Sequence, residues 1–246
     1  MKIALVSDLH YGFSANTSNT INKFFRKLAK EKPDIVVVAG DTASVCQHQY
    51  KRCFETLREN LDSHILTVRG NHDLWDGKHK KDPRSGQRTL QEIYDYQEMV
   101  HKVNHIHHLD EPFVYDNVTF FGFDGWYSVA NPGTNDWRWI PKQHQDCPVP
   151  TYLCSKGFKD FDRVLEQYDF YKNDINILVS HFPSVHGPGQ IKELNASPGF
   201  VEEIQKRFDV CMNGHTHRFL DLQVGKTRYL NCGSDYNKPK RIILDI

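Results

Sequence analysis

The sequence predicts an α/β protein of two packed sheets flanked by helices, and two observations carry that expectation. Over the first hundred residues, short apolar runs alternate with stripes spaced i, i+3, i+4, i+7, the pattern of parallel strands joined by helical crossovers. From residue 113 onward come further strand-like segments, more than one doubly wound sheet needs.

The elements follow in order. Ile3–Val6 reads as a buried strand, and Ile21, Phe24, Phe25 and Leu28 as one helical face. Asp34 to Ala39 reads as a continuous buried-strand run closed by Gly40; Tyr50, Cys53, Phe54, Leu57 and Leu61 make a second stripe. Ile65–Val68 is a third strand closed by Gly70, and Leu90, Ile93, Tyr94 and Val100 suggest a third helix. Phe113–Tyr115 and Val118–Phe123 flank Asp116-Asn117, a hairpin turn by composition. Residues 125–156 are rich in Pro, Gly and Asn and hold Trp126, Tyr127, Trp137 and Trp139; this segment reads as a long loop or insertion. A helix with Phe158, Phe161, Val164, Leu165 and Tyr168 on one face follows. Strands are expected at 175–179, 209–212, 220–224, 227–230 and 241–246, with a short helix after Pro198.

Composition narrows the class. At 246 residues the chain is near the upper limit for one hydrophobic core, so a single domain over 1–246 is expected. The 31 Lys and Arg balance the 31 Asp and Glu, which argues against a stable nucleic-acid partner held through backbone phosphates. No run of 18 apolar residues exists to span a membrane. The apolar run at 3–6 is too short for a signal peptide. The six cysteines (46, 53, 147, 154, 211, 232) include no Cys-x-x-Cys pair. Reduced thiols in a cytoplasm are therefore expected, with Cys46 and Cys53 on one buried helix face. Fourteen histidines stand out, because imidazole is both the commonest metal ligand and the usual acid or base at neutral pH.

Five polar clusters share one position, just past the carboxyl end of an expected strand: Ser7-Asp8-Leu9-His10, Gly40-Asp41, Gly70-Asn71-His72-Asp73, Ser180-His181 and Asn213-Gly214-His215-Thr216-His217. That edge is where α/β sheets bind ligands. Asp8, His10, Asp41, Asn71, His181, His215 and His217 are oxygen and nitrogen donors, and gathering them without a cation would leave buried charge uncompensated. Seven donors exceed one tetrahedral site and fit two ions sharing a carboxylate. Without a thiolate the set suits manganese, iron, zinc or nickel. Any one cluster alone is a common chance match; the five in order are not.

That order, Asp-x-His, Gly-Asp, Gly-Asn-His-Asp, His, Gly-His-x-His, resembles the calcineurin-like metallophosphoesterase superfamily from residue 7 to residue 217. The resemblance implies a two-sheet α/β/β/α sandwich with outer helices, its two sheets mixed. It implies two divalent or trivalent ions, manganese and iron favoured, with Asp8, His10 and His217 on one, Asn71, His181 and His215 on the other, and Asp41 bridging. Two such cations, about 3.5 Å apart, neutralise phosphate oxygens and yield a hydroxide that attacks phosphorus in line. His72 would then assist the leaving group, and Asp73 either orients that imidazole or caps a helix.

The expected activity is a metal-dependent phosphoric ester hydrolase, most simply a phosphodiesterase, acting on a phosphate ester of which nucleotides are one class. Thr42-Ala43-Ser44 replaces the Asp-Arg-Gly that follows Gly-Asp in the protein phosphatases, and Asp73 stands where they carry Glu, which points away from that branch. A small-molecule phosphomonoesterase is the alternative, and a non-catalytic metal-binding scaffold is an alternative of another class. Oligomeric state is not readable. Lys78, His79, Lys80, Lys81, Arg84 and Arg88 form either a steering patch or a solvated loop. The four large aromatics of 125–156 either wall the cleft or pack the insertion onto the core. His186 is a candidate to approach the metals and Asp124 a candidate support behind them, while His105, His107 and His108 read as a loop and strand entry without carboxylate company.

Overall fold

The computed structural model describes residues 1–126, 139–144, 147–185 and 199–246. Strands β1 (Lys2–Val6), β2 (Ile35–Ala39), β3 (His64–Val68) and β4 (Ile106–His108) run parallel, joined by helices α1 (Ala15–Lys30), α2 (Gln47–Asn60) and α3 (Leu90–Val103). The last strand, β13 (Ile242–Asp245), adds antiparallel to β1 and completes the first sheet in the order β13-β1-β2-β3-β4.

The second sheet takes strands β5 (Phe113–Tyr115), β6 (Val118–Phe123), β9 (Ile175–Ser180), β10 (Val210–Asn213), β11 (Phe219–Val224) and β12 (Thr227–Cys232), in the order β11-β12-β10-β9-β6-β5. Strands β6, β9, β10 and β12 are parallel neighbours, and β5 and β11 pair antiparallel at the two edges. Helices α4 (Val149–Tyr171) and α5 (Gly199–Arg207) cover this sheet, and β7 (Gln143–His144) pairs with β8 (Cys147–Pro148) apart from both sheets.

Alternation along each strand explains the layers. Ile3, Leu5, Ile35, Val37, Ala39, Leu66 and Val68 face Val118, Phe120, Ile177, Val179, Met212 and Leu230 between the sheets. The intervening Ala4, Val6, Val36, Val38 and Ile65 face the opposite way, onto Ile21, Phe25, Leu28, Tyr50, Phe54 and Leu57 of α1 and α2. Strands buried on both faces must read as unbroken apolar runs, which is why 35–39 carries no polar residue. On the far side, Phe121, Phe123, Leu178 and Tyr229 meet Phe161, Val164, Phe200 and Ile204 of α4 and α5. The result is the four-layer arrangement of helices, sheet, sheet and helices.

One boundary differs from the sequence expectation. Helix α4 begins at Val149, inside the stretch read as insertion. Pro148 and Pro150 suggested a loop, yet proline is well tolerated in a first helical turn. Gly157 lies within the helix. A Cβ there would stand 1.7 Å from the Trp126 carbonyl oxygen, so the glycine allows backbone to pass against the helix. Helix α3, faintly patterned in sequence, is started by a capping box: Thr89 Oγ1 accepts from Glu92 N at 3.2 Å and Glu92 Oε2 accepts from Thr89 N at 2.9 Å. Cysteines 46, 53, 154, 211 and 232 are free and buried, and no described helix is long and apolar enough to cross a membrane.

Gly157→Ala tests the close passage. Alanine gains about 1 kcal/mol of intrinsic helix propensity over glycine, so an unobstructed site would be stabilised. A drop in the urea midpoint is expected, and a rise would show that α4 does not press on residue 126.

Candidate metal centre

Both sheets present the carboxyl ends of their parallel strands at one edge. The ends of β1, β2 and β3 supply Asp8, His10, Asp41 and Asn71; those of β9 and β10 supply His181, His215 and His217. The expected residues therefore meet at a seam between two sheets, three clusters from one and two from the other. Asp8, His10 and His181 are fully buried, and Asp41 and Asn71 nearly so.

Backbone conformation marks the same residues. Nine described non-glycine residues have positive φ, and Asp8 (51°), His10 (46°), Asp41 (53°), His215 (69°) and His217 (54°) are five of them. Left-handed backbone costs an L-residue roughly 1–2 kcal/mol, and such outliers concentrate where a site requires them. The glycines serve the same end: a Cβ on Gly70 would lie 2.2 Å from Asp41 Oδ1, and one on Gly40, itself at φ 80°, 2.5 Å from His181 Nδ1.

Polar atoms converge on two points. At the first, the ligand atoms of Asp8, His10, Asp41 and His217 all lie within 4.8 Å of one another. His10 Nε2 is 3.3 Å from His217 Nε2 and 3.7 Å from Asp41 Oδ2, while His217 Nε2 is 3.6 Å from Asp8 Oδ1. At the second, His181 Nε2 is 3.2 Å from Asn71 Oδ1 and 3.4 Å from Asp41 Oδ1, and the His215 ring centres 5.1 Å from the His181 ring. Asp41 thus offers one carboxylate oxygen to each point.

The donor chemistry fits cations at both. A carbonyl oxygen only accepts, so the Ala39 carbonyl 2.9 Å from His181 Nδ1 fixes the proton on that nitrogen and turns the Nε2 lone pair toward two oxygens. Three lone pairs aimed at one point repel unless a proton or a cation lies among them. Burial opposes charge on His181, yet the Asp41 carboxylate holds its imidazole up at about 9, the value of a ring that keeps a proton where an ion would sit. Burial and the neighbouring His181 drive His215 down to about 3, so it stays neutral and available as a donor. Burial also takes His10 well below the ordinary histidine range and raises the Asp8 carboxyl. Asp41 resists its own burial: His181 and His72 keep it well below the usual carboxylate range. Asp8 Oδ2 and His10 Nδ1 are buried without a hydrogen-bond partner.

His72 sits beside this cluster, its ring 4.5 Å from that of His10 and stacked on Trp75 at 3.6 Å. Its Nδ1 lies 3.0 Å from the Ser44 carbonyl oxygen, which again assigns the proton to Nδ1 and leaves Nε2 for other work. Asp73 does not orient it. The fully buried Asp73 carboxylate accepts from Gly70 N at 2.8 Å and Ala43 N at 3.1 Å, and Asn71 rather than Asp73 stands at the N-cap position of the short helix His72–Leu74. Asp73 therefore ties the β2 and β3 loops together. Burial and the nearby Asp41 push its pKa up to about 7.

The remaining residues singled out in the sequence take other places. Asp124 Oδ1 accepts from Arg69 N at 2.9 Å, bracing the backbone two residues before Asn71. His108 is not without carboxylates: Asp124 lies at 3.3 Å and Asp110 at 3.4 Å. Within the basic stretch, half-buried Arg88 pairs with Asp76 at 3.0 Å and Asp82 at 2.9 Å, so it closes the loop rather than steering a ligand. Trp126 packs in a cluster with Leu74, Leu153 and Cys154, and Trp139 lies 6.3 Å from Trp75. Tyr127, Trp137 and His186 fall outside the described residues. Sequence reading missed Trp75 and the loop after β12. There Asp235 Oδ1 is 3.3 Å from His217 Nδ1, and Tyr236 stacks on His10 at 4.3 Å. Position past a parallel strand was the available signal, but no histidine or paired motif flagged residues 233–237.

The chain is 23% identical over 248 residues to the SbcD component of the nuclease SbcCD of Staphylococcus epidermidis, an alignment covering 93% of this chain and 60% of that protein, so the chain spans under two thirds of its relative. Among solved structures, phosphopantetheinyl hydrolase of Mycobacterium tuberculosis superposes with a TM-score of 0.72 at 16% identity, covering 98% of this chain and 95% of that one. A dimetal phosphatase of Danio rerio gives 0.55 at 14% identity, over 94% and 86% of the two chains. These structural likenesses speak to fold. The calcineurin-like phosphoesterase profile matches residues 1–219, and by that match the chain belongs to the calcineurin-like phosphoesterase family of metal-dependent phosphoester hydrolases.

Proposed function

We propose that the protein is a dinuclear metal-dependent phosphodiesterase. The observation that carries this reading is the placement of Asp41, one carboxylate oxygen toward His10 and the other toward His181, between two sets of donors. Asp8, His10, Asp41 and His217 would hold one ion, and Asn71, His181 and His215, with Asp41 shared, the other. Bound there, the ions would supply charge to neutralise phosphate oxygens and to lower the pKa of a shared water.

The protein's own groups divide the remaining work. The Ala39 carbonyl and the Asp235 carboxylate hold the His181 and His217 rings by Nδ1, and such supports typically change metal affinity by about 10–100-fold. The backbone N–H of His72 donates to Asp41 Oδ1 at 2.9 Å and fixes the shared carboxylate. His72, its Nδ1–H committed to the Ser44 carbonyl, presents Nε2 beside the cluster, where the imidazolium form would pass its Nε2 proton to the departing oxygen and become the neutral ring. A diester is favoured over a monoester because the Asp-Arg-Gly element of the protein phosphatases is absent after Asp41, and because the sequence relative is part of a nuclease, an activity that cleaves diesters. Manganese and iron are the ions we favour for a mixed oxygen and nitrogen set.

Three outcomes are expected. Manganese-loaded protein should hydrolyse bis(p-nitrophenyl) phosphate faster than p-nitrophenyl phosphate; the reverse order would make it a monoesterase, and stoichiometric metal without turnover of these or of cyclic nucleotides would make it a binding module. His72→Ala should lower kcat by ~10²–10⁴-fold with two ions still bound by elemental analysis, whereas Asp41→Ala should lose both metal and turnover. Metal affinity should depend on pH. His181 carries a proton below about 9 in the ion-free protein, and an incoming ion must displace it. By calorimetry, log K should therefore rise by about one for each pH unit up to that value and then flatten. A flat profile from pH 7 to 9 would remove His181 from the ligand set.

A further inference from the structure

A cavity adjoins the loop after β1 that carries His10. It has a volume of about 390 Å³ and begins at Tyr11 and Gly12, immediately after His10. Its walls come from three segments: the first turn of α1 with Ser14, Ala15 and Ser18; α2 with His48, Gln49 and Arg52; and the loop carrying His79, Lys80 and Lys81. Five of these side chains are basic and, among the described residues, no acidic one lines the cavity. The cavity among α3, β4 and α4 is different, for Asp95, Glu98, Asp110, Glu111, Asp124 and Asp160 line it together with its cations.

The basic cavity is held in shape. Gln49 Nε2 donates to the Gly12 carbonyl at 2.8 Å and Gln49 Oε1 accepts from Val45 N at 3.1 Å, which locks the floor. The 79–85 loop is closed by Ser85 Oγ accepting from His79 N at 2.6 Å and by Arg88 on Asp82. The acid nearest the basic run is therefore neutralised from behind, and Lys80 and Lys81 make no ion pair among the described residues. The His48 and His79 rings stack at 5.0 Å with 21° between planes. Burial and then His79 lower the pKa of His48, Asp82 opposes them, and Lys81 and Arg52 add to the lowering; Arg52 is itself paired with Glu55 at 2.7 Å, outside the cavity lining.

We propose that this cavity is a subsite for a second phosphate of the substrate, one that is not itself cleaved. A cavity whose charged side chains are all basic, one residue from a candidate ligand, selects for negative charge at a fixed offset from the reacting phosphorus. The assignment rests on the phosphoester-hydrolase reading and narrows it to substrates bearing at least two phosphates. Two sources share that chemistry: the flanking phosphodiester of an oligonucleotide and the second phosphate of a small bisphosphate.

The test reads binding rather than turnover. Fluorescence anisotropy of labelled hexathymidylate, in buffer containing EDTA, compares the wild type with Arg52→Ala/Lys80→Ala/Lys81→Ala. The charge-matched control Lys27→Ala/Lys30→Ala/Lys32→Ala alters the other end of α1. The cavity variant is expected to bind at least tenfold more weakly, with a salt slope shallower by about 0.7, the contribution of one neutralised phosphate of a single strand; the control should match the wild type. Displacement of the probe by adenosine 3′,5′-bisphosphate from the wild type, and not from the cavity variant, would assign the site to a small bisphosphate; failure to displace would assign it to a flanking phosphodiester. Equal binding by wild type and cavity variant, equal loss in the control, or no binding of either probe to the wild type overturns the proposal. Failure of the catalytic reading is separable: manganese-loaded wild type would then leave bis(p-nitrophenyl) phosphate intact while the difference in anisotropy remained.

Discussion

The structure turns on one buried carboxylate. Asp41 must lie within reach of His10 and His181 at once, although the first belongs to one sheet and the second to the other. Few backbone paths allow it. Strand β2 has to end at Ala39, turn through Gly40 at positive φ, and place Asp41 itself in left-handed conformation. Gly70 has to lack a side chain so that the next strand end can close over the carboxylate. A carboxylate buried this way needs positive charge beside it, and without an ion the proton that His181 keeps supplies that charge.

Much of this was legible from residue order. Buried parallel strands announce themselves as unbroken β-branched runs, and 35–39 could hardly be anything else. Donor residues placed just past such runs marked the site, because strand ends are fixed points to which any fold of this kind must bring its chemistry. What could not be read was lateral. Whether the five clusters came from one sheet or two depends on strand order, which periodicity does not encode, and the answer was three and two.

Residues that act through the main chain were the least visible. Ser44 supports His72 with its carbonyl and Ala39 supports His181 in the same way, so neither side chain offers a clue. Asp73 looked like a partner for its neighbour His72, yet the carboxylate turns back to Gly70 N and Ala43 N. Asp235 and Tyr236 lie more than 200 residues from Asp8 and His10 in sequence, and only the parallel pairing of β12 with β10 carries their loop to the same edge. Arg88 was misleading for the opposite reason. A basic run suggests solvent, but its last member is enclosed by two aspartates.

The hydrogen bond from His181 Nδ1 to the Ala39 carbonyl, and that from His215 N to Asp8 Oδ1 at 2.9 Å, both cross from one sheet to the other. The centre thereby acts as a rivet through the sandwich. Sliding one layer past its partner by a single residue would scatter the donors before any strand lost its own ladder. Mechanical integrity and chemical competence are joined in one cooperative unit, and a molecule whose halves have slipped has no partially working form.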